Sequence, residues 1–302
     1  MGRKENLFEY QSHALHHALG NCSGSVPRTK SGPTAVCPLC LNRFELGEME
    51  EEHTPQRSGQ SRLGNRWSLL LTCSACNHRA GESFESASAT VRDTFAGNGH
   101  FCSVHPGFGH TATGLWVSLD PQTVNATDLK SAYLLACLTL GHRWFLSTRL
   151  DPVRRAIASG QGTGSAVVVS IGATGANMAR AVCEVTEPAS FVMVVGTLGL
   201  EGSLAVIFPS EGGPPPNTLF SPPSISPLGG RIFLPSLPGI NGTTPVHISC
   251  RTFQWPRLFD ATFKQVDAYD RSGSLFHLDR CGSHATGLTN HQMSERVAQL
   301  GL

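Results

Sequence analysis

Apolar and polar positions follow different rhythms in successive parts of the chain. Over "MGRKENLFEYQSHALHHALG" (1–20) apolar residues recur at helical spacing and stop at Gly20, which predicts a short amphipathic helix. His13, His16 and His17 share that spacing and read as a solvated or packing face rather than a metal site. "NCSGSVPRTKSGPTAV" (21–36) is rich in Gly, Ser and Pro and reads as a linker. Residues 37–90 form a compact polar unit. Beyond about residue 98 the chain becomes more apolar. "TDLKSAYLLACLTLG" (127–141) predicts a buried helix with Thr127 as N-cap and Gly141 as its stop. "DPVRRAIASG" (151–160) predicts another, with Asp151 as cap, Pro152 at the first helical position and an end before Gly160. From residue 165 onward, Val-rich runs separated by Gly, Pro and Ser predict a β-rich body. The longest apolar stretch, "FVMVVGTLGLEGSLAVIF" (191–208), is interrupted by Glu201 and by glycines, so it reads as two strands around a turn and not as a membrane span. "EGGPPPNTLFSPPSISPLGG" (211–230) reads as an extended surface loop. There is no internal repeat.

Composition narrows the class. A chain of 302 residues, 40% hydrophobic and 15% charged, is globular and long enough for one large domain or about two ordinary ones. A formal net charge of +1 means that an anionic partner must be held by a local patch and not by the field of the whole molecule. The N-terminal stretch has no apolar core of the secretory type, and the expected location is the cytoplasm, with no membrane partner. Four of the ten cysteines lie in two Cys-x-x-Cys pairs, which favours a metal site in a reducing compartment over disulfides.

Those pairs carry the chemistry. Cys37 and Cys40, and Cys73 and Cys76, are separated by 32 residues, longer than in a compact zinc ribbon. Four thiolates complete a tetrahedral Zn²⁺ and leave no open position, so such a site is structural. The segment between them contains Glu50, Glu51, Glu52 and His53. Hard carboxylates and soft thiolates do not ordinarily serve one ion, so this run asks for a separate role.

The pieces "CPLC", "EEHTPQ", "NRWSLLLTC" and "CNHRAG", in that order over residues 37–86, resemble the HNH endonuclease family in its zinc-stapled form. The resemblance implies a small zinc-bound ββα-metal domain; with the β-rich body read from the Val-rich runs, the expected fold is α+β, that domain followed by a larger α/β domain rich in β-strands. The partition is 1–36 (helix and linker), 37–97 (nuclease-like domain) and 98–302, whose expected contribution is target choice, oligomerisation or regulation. "EEHTPQ" would end the first strand of a hairpin, "WSLLLT" would form the second, and "SACNHRAGESFESAS" would begin a helix beside them. Glu52 and Asn77 offer oxygen donors to a catalytic Mg²⁺ or Mn²⁺. Asn77 also reads as a helix cap, and His78 is a neighbouring alternative. His53 is placed to take a proton from an attacking water. The family's middle polar residue, which orients the base, is assigned to Asn65, although counting back from Cys73 reaches Ser68. Arg57, Arg62, Arg66 and Arg79 form a candidate phosphate-gripping patch, with a merely solvated surface as the other reading. The implied activity is metal-dependent hydrolysis of phosphodiester bonds, in DNA first of all. The family suggests bacterial restriction or phage defence, with a homodimer or a defence-system protein as further partner. The alternative is a non-catalytic zinc module that recognises nucleic acid or protein. His100, Cys102, His105 and His110 have a spacing that fits no zinc template and read as a Gly-rich hairpin, and Cys281 and His284 are similarly weak.

Overall fold

The computed structural model describes residues 2–20, 33–53, 69–85, 121–160, 164–170, 181–187, 190–199, 202–216, 247–252 and 287–302. Helix α1 (Arg3–Gly20) matches the periodicity of the first twenty residues. Leu7 and Phe8 are buried against Ala35, Cys37, Met49, Leu71 and Cys73, so α1 builds part of the core of the cysteine unit. The end of the expected linker is structured as well: Ala35–Val36 form β1, antiparallel to β2 (Arg43–Phe44). Residues 21–32 lie outside the described residues.

Strands β3 (Met49–His53) and β4 (Leu69–Cys73) form the expected hairpin, with Met49 opposite Cys73 and His53 opposite Leu69. A two-stranded hairpin leaves backbone groups unpaired along its outer edges. Gln11 satisfies one pair of them: its Oε1 accepts from Leu71 N at 2.7 Å, and its Nε2 donates to Leu71 O at 3.3 Å. Helix α2 (Ser74–Ala80) follows at once and runs into a π-helical turn at Gly81–Glu85, completing a ββα order.

The next helix, α3 (Pro121–Leu140), starts six residues before the expected cap, so Thr127 lies within it. Pro121 suits the first helical position, where its missing N–H has no acceptor to satisfy. All side chains from Ala126 to Leu140 are buried, as expected of a helix covered on every side. Gly141, at φ 75, turns the chain into α4 (His142–Phe145). Helix α5 (Asp151–Ser159) carries Pro152 in its first turn and closes at Gly160, φ 65. Asp151 is the first helical residue and not the N-cap, a position held by Leu150.

The β-rich body is a five-stranded antiparallel sheet in the order β5-β8-β7-β6-β9, made of Val167–Ser170, Ala181–Glu187, Phe191–Gly199, Gly202–Pro209 and His247–Thr252 in chain order. The long apolar stretch is the β7–β8 hairpin, as its interruptions imply. Helix α6 (Asn290–Leu300) is capped by a Thr289–Gln292 box. Helix α3 packs on β7 by one side and on the cysteine unit by another. One apolar core accordingly joins Val36, Leu41, Leu70 and Phe84 to Tyr133, Trp144, Val194 and Phe208, crossing the boundary placed at residue 97. Among the described residues no helix is long and apolar enough to cross a membrane. Residues 217–230 of the expected surface loop, together with His100, Cys102, His105, His110, Cys281 and His284, lie outside the described residues.

Candidate metal centre and its surroundings

Two tight turns present the thiols. In the first, Leu41 N donates to Cys37 O at 2.8 Å and Cys37 N to Asn42 O at 3.0 Å. The loop closes only because Leu41 takes a left-handed conformation, φ 62, which a branched side chain rarely adopts. In the second, Cys73 ends β4 and caps α2, and Cys76 sits in that helix's first turn. The four sulfurs lie within 4.8 Å of one another. Cys40 Sγ and Cys73 Sγ are 3.8 Å apart, far beyond a disulfide and equal to the edge, about 3.8 Å, of a tetrahedron with Zn–S bonds of about 2.3 Å. The thiols cannot all ionise independently. Burial pushes Cys37 well above its ordinary value, while hydrogen bonds with Cys37 and Cys76 draw Cys40 down to about 2. A divalent cation resolves that conflict by holding all four as thiolates, so the cluster is able to bind a metal such as zinc. Among the described residues it is the only such cluster of three or more His, Cys, Asp or Glu side chains.

The carboxylates are arranged differently from the expected Glu52–Asn77 pair. Along β3 side chains alternate, so Glu50 and Glu52 share a face. Asn77 Nδ2 donates to Glu50 Oε2 at 2.7 Å, and His78 Nε2 lies 3.2 Å from Glu50 Oε1. Glu52 is instead covered by α3, where Lys130 Nζ donates to Glu52 Oε2 at 2.8 Å and to Glu85 Oε1 at 2.7 Å. Thr72 Oγ1 donates to the same Glu52 oxygen at 3.5 Å. The three side chains are 1%, 6% and 14% exposed for Lys130, Glu52 and Glu85. Two carboxylates against one ammonium leave an excess negative charge. Burial, with the charge of Glu85 adding to it, raises the Glu52 carboxyl above the usual carboxylate range against the opposing pull of Lys130. Burial works to lower Lys130, but the two carboxylates outweigh it and hold the ammonium above its ordinary value. Glu52 thus already has a cation, and the carboxylate left at the surface beside Asn77 is that of Glu50.

His53 closes β3 at the end remote from the cysteines. Its side chain, along with Asn65, Arg57, Arg62 and Arg66, lies outside the described residues. Arg79 is exposed on α2. A second polar chain ties the first knuckle to the helices: Tyr133 Oη donates to Pro38 O at 2.8 Å and accepts from Arg154 Nη1 at 3.0 Å. Gln11, Glu85, Lys130 and Tyr133 all escaped sequence reasoning. A lysine and a tyrosine inside a buried helix were the available signal, since a charge at such a position needs a buried partner.

No family profile, curated protein or solved structure matches the chain.

Proposed function

We propose that the chain is a metal-dependent endonuclease whose zinc-stapled ββα unit hydrolyses phosphodiester bonds, most readily in DNA. The observation that supports this reading is the hairpin register: cysteines at one end of β3–β4, His53 at the other, and Glu50 beside Asn77 between them. In this reading zinc fixes the strands to α2, and Cys37, Cys40, Cys73 and Cys76 hold it. Glu50 and Asn77, with His78 adjacent, take the place first given to Glu52 and Asn77 in binding Mg²⁺ or Mn²⁺, while Glu52 anchors the strand to α3. The divalent ion stabilises charge on the phosphate and on the leaving 3′ oxygen. In this reading His53 accepts a proton from the attacking water, which requires the end of β3 to turn its side chain toward the face that carries Glu50, since strict alternation sets the two positions on opposite faces.

Plasmid nicking with and without EDTA tests it. His53→Ala should lower cleavage by about 10²–10⁴-fold with zinc content and melting temperature unchanged. Glu50→Gln should raise the Mg²⁺ requirement without altering zinc. Full activity in a stably folded His53→Ala protein refutes the reading.

The Lys130–Glu52 pair favours a second one, because it removes one carboxylate of the motif from metal chemistry. In that case the unit is a non-catalytic zinc module that recognises its partner through the hairpin. It would then need zinc but no Mg²⁺, and no condition in the nicking assay would yield cleavage.

A further inference from the structure

We propose that a cavity on the far side of α2 binds the phosphate group of a nucleotide or nucleic-acid strand. The cavity measures about 310 Å³ and lies between α2, α5 and α6, beside the first cysteine turn. That volume is at the lower end of the range for small-ligand sites, about 300–1,000 Å³. Arg79, Arg154, Arg155 and Arg296 line it, against one carboxylate, Asp151, and the Cys40 and Cys76 thiols of the metal centre. The site is distinct from the Glu50 lip. Asn77 and Arg79 are two residues apart and point about 200° from one another around the helix.

Two of the arginines are held in place. Arg154 donates to Asp151, to Phe145 O and to Ser147 O, the last at 2.9 Å. Arg296 donates to the same Asp151 oxygen at 2.8 Å and to Leu146 O at 2.9 Å. Asp151 therefore serves two guanidiniums and leaves the wall cationic. Arg79 and Arg155 are exposed and make no ion pair among the described residues, so their donors are free for a ligand. A planar guanidinium fork matches phosphate oxygens two at a time, which a diffuse counter-charge would not require. A zinc tetrathiolate carries two negative charges of its own, and the arginines could serve merely to balance it. Against that, the oriented pair points its donors at carbonyls and Asp151.

The test uses the zinc-loaded full chain with three probes: inorganic phosphate, adenosine monophosphate, and a short fluorescent single-stranded oligonucleotide without terminal phosphate. Arg79→Ala/Arg155→Ala should weaken the binding of at least one nucleotide probe by about tenfold or more and lower its salt slope by about one to two. The double lysine variant should recover part of the loss. Competition separates the sources: adenosine monophosphate displacing the oligonucleotide marks a nucleotide pocket, and oligonucleotide binding that it does not disturb marks a backbone groove. No saturable binding of any probe, or unchanged affinity in the double alanine variant, overturns the proposal. So does a fall in zinc content with phosphate affinity intact, because the arginines would then only balance the thiolates. Every arm reads binding without Mg²⁺ and without cleavage, so failure of the nuclease reading leaves this outcome separately readable.

Discussion

Replacing Lys130 with Met removes a charge while keeping an unbranched apolar stem of similar length. In the parent, one ammonium 2.8 Å from Glu52 and 2.7 Å from Glu85 holds two carboxylates that are almost out of water. Removing one partner of a buried ion pair costs about 3–5 kcal/mol, because the groups left behind have neither water nor a counter-ion. That is a large part of a typical stability of about 5–15 kcal/mol. At roughly 2–4 °C per kcal/mol for a chain of this size, the melting temperature should drop by roughly 6–20 °C. The pH dependence is specific. In the variant, burial and the charge of Glu85 raise the folded pKa of Glu52 above its unfolded value with no ammonium to oppose them, so the native state takes up a proton. The deficit should therefore narrow as pH falls from 8 to 5 and widen again as pH rises through the folded pKa. In the parent, the folded pKa of Lys130 is raised above 10.5, so its contribution is complete below 10.5 and is lost as pH rises through that folded value. Thermal melts of parent and variant at pH 5, 6.5 and 8, with zinc measured on each sample, provide the assay. Lys130→Met/Glu52→Gln should regain part of the loss. A deficit below about 1 kcal/mol, or one independent of pH, refutes the ion-pair account.

Two further predictions concern the first cysteine turn. Cys40→Ser should lose stoichiometric zinc and melt earlier than the parent, and a chelator should move the parent toward the same melting curve; retention of one zinc per chain would contradict the four-thiol site. Leu41→Gly should relieve left-handed strain of about 1–2 kcal/mol but forfeit a buried leucine worth about 2–5 kcal/mol, so the variant should be less stable by up to about 4 kcal/mol. A variant that melts higher would show that strain outweighs burial.

Local patterns were legible because their causes are local. The two thiol turns follow from Cys-x-x-Cys spacing, and the β7–β8 hairpin from Val-rich runs broken by glycines. Helix α5 follows from Pro152 near its start and Gly160 at its end. What stayed hidden depends on distant packing. The polar "PQTVNA" before Asp128 gives no apolar rhythm, so the start of α3 at Pro121 is set by the proline and by the body of the helix it extends. The role of α1 was hidden because Leu7 and Phe8 are buried by residues 35–73, not by anything in the helix itself.

Glu50 and Glu52 show where pattern reading stops. Adjacency to His53 selected Glu52, yet strand alternation puts both glutamates on one face, so sequence order alone cannot say which keeps an open carboxylate. Helix α3 makes the choice, delivering Lys130 to Glu52 from 78 residues away and leaving Glu50 to Asn77. A buried carboxylate needs a cation, and an ammonium meets that need as well as a divalent ion does. The same acidic run is therefore compatible with a metal ligand and with a structural anchor. In this fold what covers each glutamate decides its part: Glu52 is the anchor under α3, and Glu50 keeps a partly exposed carboxylate beside Asn77 and His78.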